Sequence, residues 1–143
     1  MHGVTGYTSG LFDLFHVGHL EVLRRARNSC DHLTVGVLTD ELAEELSGVR
    51  PYVPLIERLE LVRHVRYVDH AVPLTDADPR AVWASLAFQT AFAGPDALPG
   101  AARLEEALTG TGVRVVRLTD VPGTTSPALH TALTRTPART SVA

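Results

Sequence analysis

Two histidines, His16 and His19, stand three residues apart with Gly18 between them, six residues after Gly10 and three after Asp13, in the run Gly10-Leu11-Phe12-Asp13-Leu14-Phe15-His16-Val17-Gly18-His19. On the first turn of a helix, imidazoles at i and i+3 project to one side. Gly18 removes a side chain that would block a close approach. The free N–H groups of a helix start already favour anions, and phosphate is the natural ligand there. Two imidazoles so placed can donate to a phosphoryl group as charge builds on its oxygens. Two other readings use the same residues. The histidines can cap or pack a helix start, or they can begin a zinc site. Zinc wants at least a third ligand. Cys30 is the only cysteine, and no neighbouring histidine cluster supplies one.

The elements around this run must place it at a helix start. Val4 to Ser9 reads as a strand that leads directly into the run, and Val17 to Asn28 as the helix that leaves it, with Val17, Leu20 and Leu23 at helical spacing. Arg24, Arg25 and Arg27 stand near that helix's C-terminus, where the dipole favours them. His32 to Leu38 is a short apolar run of the kind buried in a sheet. The next helix opens at Pro54 and carries Leu55, Leu59 and Val62 on one face. Strands are expected at Val68 to Leu74, Gln89 to Ala93 and Val113 to Leu118. Helices are expected at Pro79 to Leu86, at Ala101 to Leu108 and from Pro127, with Ser126 as N-cap. Strands that alternate with helices predict an α/β fold, a parallel sheet covered on both faces. In such a sheet the ligand sits beyond the C-terminal strand ends, near the switch in strand order. Residues 1–134 read as one domain. Arg135 to Ala143 has no apolar period and reads as a flexible tail or the start of a linker to a further domain.

Composition narrows the class further. The 143 residues carry 13 basic and 16 acidic side chains for a net charge of −3, and every basic residue is arginine. A mild negative balance argues against a nucleic-acid or anionic-membrane binder. A single cysteine forbids an internal disulfide and fits a cytoplasmic home. No apolar run approaches the ~20 residues that span a bilayer.

The run from Gly10 to His19 resembles the signature of the HxGH nucleotidyltransferases. More narrowly, the chain is similar to the cytidylyltransferases of the small glycerol-3-phosphate type. The likeness continues through Asn28 to Glu41, Glu57-Arg58, Arg66-Tyr67-Val68-Asp69 and the threonine-rich stretch Thr124-Thr125-Ser126. The resemblance implies a Rossmann-like, doubly wound sheet. It also implies transfer of CMP from CTP to a small phosphate or phosphonate acceptor, with release of pyrophosphate. An adenylyltransferase of the same superfamily and a catalytically inactive nucleotide-binding module are the alternatives. Magnesium is expected with the triphosphate, a homodimer is expected with Val65 to Val72 in its interface, and a fused second catalytic domain is compatible.

Roles follow residue by residue from the same resemblance. His16 and His19 are the catalytic pair. Ser9, Gly10, Leu11, Phe12, Asp13, Gly18, Arg58, Gly94, Asp96, Arg117, Thr124, Thr125 and Ser126 are expected at the nucleotide, and Arg50, Arg66 and Asp69 at the acceptor. Asp13 orients a metal-bound phosphate or fixes an imidazole, with a plain Asx turn as its structural alternative. Arg58 reaches phosphate or pairs with Glu57 or Glu60 at the surface. Two departures touch the substrate. Leu11 stands where the family carries threonine, and Gly94-Pro95-Asp96-Ala97 stands for Gly-Asp-Asp-Trp. The acceptor therefore stays open between a phosphate ester and a phosphonate.

Overall fold

The computed structural model describes residues 3–119 and Val121. The helix expected from Pro127, the tail from Arg135, and Thr124, Thr125 and Ser126 lie outside the described residues. Five strands, β1 (Thr5–Gly10), β2 (His32–Leu38), β3 (His70–Leu74), β4 (Thr90–Ala93) and β5 (Arg114–Arg117), form one sheet in the order β3-β2-β1-β4-β5. Every pairing is parallel. Strand order runs outward from β1 to β3 and then reverses to β4 on the other side of β1. The crevice at the C-terminal ends of β1 and β4 is thus the switch point of the sheet.

Helices α1 (Val17–Asn28) and α3 (Leu55–Arg63) cover one face, and α2 (Asp40–Ser47), α4 (Pro79–Leu86) and α5 (Ala101–Ala107) the other. Period-two alternation explains how one strand serves both. Leu33, Val35 and Val37 of β2 meet Leu23, Ala26 and Val62 in one core cluster, while Leu38 joins Leu42 and Ala43 across the sheet. Ala91 and Ala93 of β4 pack with Phe88, Leu104 and Leu108, while Phe92 joins the α1 side. A strand buried on both faces needs a continuous apolar run, and that is how His32 to Leu38 reads.

Within the described residues the expected elements recur with ends shifted by a residue or two, and α2 is an addition that the apolar pattern does not reveal. This helix is short and acidic, and its boundaries come from its ends. Thr39 Oγ1 accepts from Leu42 N at 3.0 Å, and Gly48 closes it at φ 81°, a left-handed conformation that glycine adopts without a steric penalty. In the segment expected at a dimer interface, Arg66, Asp69 and His70 are exposed, Val65, Tyr67, Val68 and Val72 half-buried and Ala71 buried. Val65 and Val68 pack against the core cluster that contains Ala71.

Arg58 is the largest side chain buried completely, at 0% exposure. Its guanidinium donates to the carbonyls of Val53 (2.7 Å), Leu11 (2.8 Å) and Leu38 (2.8 Å), and pairs with Asp40 at 2.6 Å. One side chain thus ties the loop after β1 and the end of β2 to the chain entering α3. It is no surface partner of Glu57 or Glu60. Removing one member of a buried pair leaves the other desolvated and alone. We expect Arg58→Ala to lower the unfolding free energy by about 3 kcal/mol or more. Arg50→Ala, which breaks only exposed contacts to Glu44 and Glu41, should cost under ~1 kcal/mol. Denaturant unfolding of the two variants beside the parent chain measures the difference.

Candidate active site

Strand β1 ends at Gly10, and the chain does not turn smoothly into α1. Phe12 and Leu14 both adopt φ 54°, the left-handed region in which a side chain is uncomfortable. Such residues persist where surrounding contacts over-determine them. Between them Asp13 is buried, and its two oxygens accept the N–H groups of Tyr52 and Val53, each at 2.9 Å. Arg58 holds the Leu11 carbonyl from beneath. The Asx-turn reading of Asp13 is thereby replaced by a long-range bridge, and its carboxylate is spent on amides.

The path so fixed delivers His16 to the N-cap of α1 in an extended conformation. Its Nδ1 accepts from Gly18 N at 2.9 Å, while His19 Nδ1 accepts from His16 N at 3.2 Å. Two helix-start donors are satisfied reciprocally, as in a capping box, here built from imidazoles. Capping and chemistry are therefore not competing readings. The caps use one nitrogen of each ring and leave the other. The rings stack with centroids 4.0 Å apart, and Phe12 and Phe15 flank His19 at 5.4 and 5.2 Å. His16 Nε2 is buried without a hydrogen-bond partner among the described residues. His19 Nε2 stands 4.0 Å from Asp96 Oδ2.

A cleft of about 310 Å³ opens at the switch point, lined by Ser9, Gly10, Leu11, Phe12, Asp13, Gly18, His19, Gly94 and Asp96 among others. Nine of the expected site residues thus share one wall system, with His16 stacked behind His19. Gly94 matters sterically, because a Cβ there would lie 2.7 Å from Val22 Cγ2 and push α1 away from β4. Ser9 Oγ donates to the Leu98 carbonyl at 3.0 Å and ties the loop after β4 to β1. Thr8, Val22, Pro95, Ala97, Leu98 and Val121 complete the lining, and sequence reasoning did not select them. Val22 was within reach, since it follows Gly18 by one helical turn. Val121 arrives because Arg25 donates to the Thr119 carbonyl at 2.6 Å.

The arginines went elsewhere. Arg58 sits behind the cleft wall, committed to carbonyls and Asp40. Asp69 accepts from Leu33 N at 2.8 Å and pairs with Arg27 at 2.9 Å, at the start of β2 and β3. It and the exposed Arg66 lie at the opposite end of the sheet from the cleft, because strand starts and strand ends are a full sheet apart. Arg50 leans on Glu44 and Glu41, and Arg117 on Glu105 at 2.7 Å. None of these five lines the cleft among the described residues.

The fold does bring a third group of metal-ligating type, the Asp96 carboxylate, to the two histidines. One ligand atom each from His16, His19 and Asp96 lies within 4.8 Å of the others. No helix among the described residues is long and apolar enough to cross a membrane.

Burial lowers the His19 pKa from 6.5 to about 4, helped by the neighbouring His16 and opposed by Asp13. His19 is therefore neutral at pH 7. Between 6.5 and 4 the unfolded chain holds a proton that the folded one refuses, so this group makes stability fall as pH drops through that window. From pH 7 to 5 the loss assignable to His19 should be about 1 to 2 kcal/mol. Denaturant unfolding at both values, with the parent chain and His19→Asn side by side, checks it. The variant should lack that part of the slope.

A family described as cytidylyltransferase-like matches residues 7–139. An ethanolamine-phosphate cytidylyltransferase of Arabidopsis thaliana is 46% identical over 67 residues, which is 46% of this chain and 16% of that protein. The bifunctional protein HldE of Alkalilimnicola ehrlichii is 32% identical over 123 residues, 85% of this chain and 26% of that protein. A FAD synthase of Thermococcus sibiricus is 40% identical over 65 residues, 46% of this chain and 44% of that protein. The chain thus spans less than half the length of these curated relatives. The lipopolysaccharide core biosynthesis protein from Thermoplasma volcanium GSS1 superposes with a TM-score of 0.74 at 25% identity, over 82% of this chain and 98% of that one.

Proposed function

Because the chain belongs to the cytidylyltransferase-like family, we propose that it transfers CMP from CTP to a small phosphate or phosphonate acceptor and releases pyrophosphate. The observation that carries this reading is the buried Nε2 of His16, unpartnered among the described residues, directly behind His19, which lines the switch-point cleft at a helix start. A buried polar atom without a partner is costly, and it is repaid when a ligand brings the missing oxygen. A phosphoryl group fits that vacancy in chemistry and in sign, because the α1 N-terminus favours an anion as well.

The reaction needs no general base. A phosphomonoester has a second pKa near 6 and is largely a dianion at neutral pH, and a phosphonate, though more basic, still carries at least one anionic oxygen there. One of its oxygens attacks the α-phosphorus of CTP, the bond from that phosphorus to the β-phosphate oxygen breaks, and pyrophosphate carries the electron pair away. His16 and His19 hydrogen-bond the α-phosphoryl oxygens as charge accumulates, while the rigid loop from Gly10 to His16 keeps the partners in line. Magnesium, when bound with the triphosphate, would neutralise phosphate charge. Asp13 has both oxygens committed to amides, so Asp96, whose side chain is 37% exposed in the cleft, is the carboxylate that fits it. Backbone groups of the loop from Gly94 to Leu98, which lines the cleft, would read the cytosine edge. This reading keeps a homodimer and, given a bifunctional relative, a second fused activity as parts of the proposal.

A second reading has its own support. One relative is named a FAD synthase, which points to an adenylyl donor. Pyrophosphate release over CTP, ATP, UTP and GTP, each with ethanolamine phosphate, glycerol 3-phosphate and small alkylphosphonates, decides between them. Release with CTP and one small acceptor is expected. Release with ATP alone selects the second reading, and none with any pair removes both.

Substitution at His16 separates its two jobs. Asparagine can still accept the Gly18 N–H, so His16→Asn should keep stability within ~0.5 kcal/mol while turnover falls by at least ~10². His16→Ala should lose the same turnover and about 1 kcal/mol of stability as well. Steady-state rates and denaturant midpoints on both variants read this out.

A further inference from the structure

His16, His19 and Asp96 form a cluster that two opposite kinds of ligand could claim. Two imidazoles and a carboxylate within 4.8 Å resemble the donor set of a transition-metal site. The same imidazoles could instead present N–H groups to an anion. Proximity does not decide between these, but the position of two protons does.

A backbone amide can only donate. Gly18 N donates to His16 Nδ1 at 2.9 Å, and His16 N donates to His19 Nδ1 at 3.2 Å. Both Nδ1 atoms must therefore be unprotonated to act as acceptors. In a neutral imidazole the proton then sits on the other nitrogen, and both Nε2 atoms are donors. A histidine that binds a metal through Nε2 has the reverse arrangement. Its Nδ1 carries the proton and usually gives it to a carboxylate or carbonyl. Here that proton would face an amide N–H, donor against donor. Metal capture would thus cost both capping bonds at the start of α1.

We infer that the reciprocal caps fix His16 and His19 as a pair of Nε2–H donors, so that the backbone amides of Gly18 and His16 act as positioning groups that commit the site to an acceptor-only anion and against a divalent transition metal. The inference rests on the proposed nucleotidyl transfer for its use, but not for its truth, because it concerns the free protein. Three further observations agree with it. His16 Nε2 is buried and lacks an acceptor, as expected of a donor kept for a ligand. His19 Nε2 is turned towards a carboxylate oxygen of Asp96, an acceptor. The groups that face His19 among the described residues are His16, Asp13 on the loop after β1 and Asp96 on the loop after β4. Even so, burial outweighs the Asp13 carboxylate and keeps the ring neutral well below pH 7.

The caps also explain a division of labour between glycine and histidine in this turn. Gly18 supplies its N–H to one ring, and the N-cap residue supplies its own N–H to the other. Neither donor depends on a side chain that could rotate away. The pair is therefore set before any ligand arrives.

The test is nuclear magnetic resonance of the free protein labelled with ¹⁵N at histidine and on the backbone, at pH 7. Two patterns of unprotonated Nδ1 with protonated Nε2 are expected. Each should be linked to its capping amide by a coupling across the N–H···N bond, from Gly18 to His16 and from His16 to His19. His16→Asn should remove one pattern and leave the fold, since asparagine caps in its place. If that variant does not fold, the two couplings assign the rings in the parent chain. Addition of one equivalent of ZnCl₂ should leave both patterns unchanged. An Nδ1–H pattern on either ring, or conversion of the Nε2 signals to the unprotonated metal-bound type with zinc, overturns the inference. Neither result depends on turnover. Absence of pyrophosphate release would remove the proposed function and leave the tautomers as measured.

Discussion

The carboxylate of Asp13 receives two amide N–H groups from a segment forty residues away in sequence, and the route from β1 to α1 depends on those two bonds. They help to hold two left-handed excursions, at Phe12 and Leu14, on either side of Asp13. Each costs on the order of 1–2 kcal/mol against relaxed backbone, which is comparable to the net worth of a buried charge-assisted hydrogen bond. Arg58 closes the same bracket from below by taking the Leu11 carbonyl. The loop is thus rigid because its strain is balanced locally, and α1 begins where the balance leaves it. The reciprocal histidine caps become possible only at that entry angle.

Rigidity of this kind suits chemistry in which positioning supplies most of the acceleration. When the nucleophile is already an anion, a protein gains little by moving protons and much by holding oxygens in line. The cleft reflects that. Its wall at the α1 end is made of a capped helix start, the neutral imidazole of His19 and small residues at Gly10, Gly18 and Gly94. Gly94 admits Val22, and so lets α1 lie against the end of β4. The distance between the two sides of the switch point is set by that absent side chain.

The parts of this arrangement that sequence reveals are the local ones. Apolar runs such as His32 to Leu38 announce buried strands, because a strand covered on both faces has no polar positions to interrupt it. The run from Gly10 to His19 announces the site, because its functional groups are neighbours along the chain and share one helix turn. Helix α2 escapes the apolar pattern, being eight residues long with an acidic first turn and little to mark a face beyond Leu42, Ala43 and Leu46. The arginines escape for a different reason. A guanidinium reaches far from its Cα, and its destination depends on which carbonyls and carboxylates the fold presents. Nothing near Arg58 in sequence foretells Leu11, Leu38 and Asp40 as its partners. Nothing near Asp69 foretells that it stands at strand starts, where it ties Leu33 to Arg27. Asp96 shows the converse, since its place beside His19 requires the switch point that brings β4 next to β1.

If a triphosphate occupies the cleft, the cation that meets it is set by what each arginine would have to give up. The charged side chains lining the described cleft are Asp13 and Asp96 together with the neutral His19, so positive charge must be recruited. Arg58 is excluded by cost, because leaving its buried position would strand Asp40 and three carbonyls. Arg66 is excluded by distance, at the far end of the sheet. Arg50 and Arg117 remain, both at the C-terminal end of the sheet and both in exposed pairs with glutamates. Such pairs are worth under ~1 kcal/mol, while a charge-assisted bond to phosphate in a partly dry cleft is worth about 1.5–3 kcal/mol. Exchange of partners is therefore downhill for either arginine. The two also sit on opposite sides: Arg50 precedes the segment that Asp13 clasps, and Arg117 ends β5 beyond the loop that follows β4. A triphosphate between them would draw both inward, and the carboxylates they release lie outside the cleft, where water solvates them at no cost to the site.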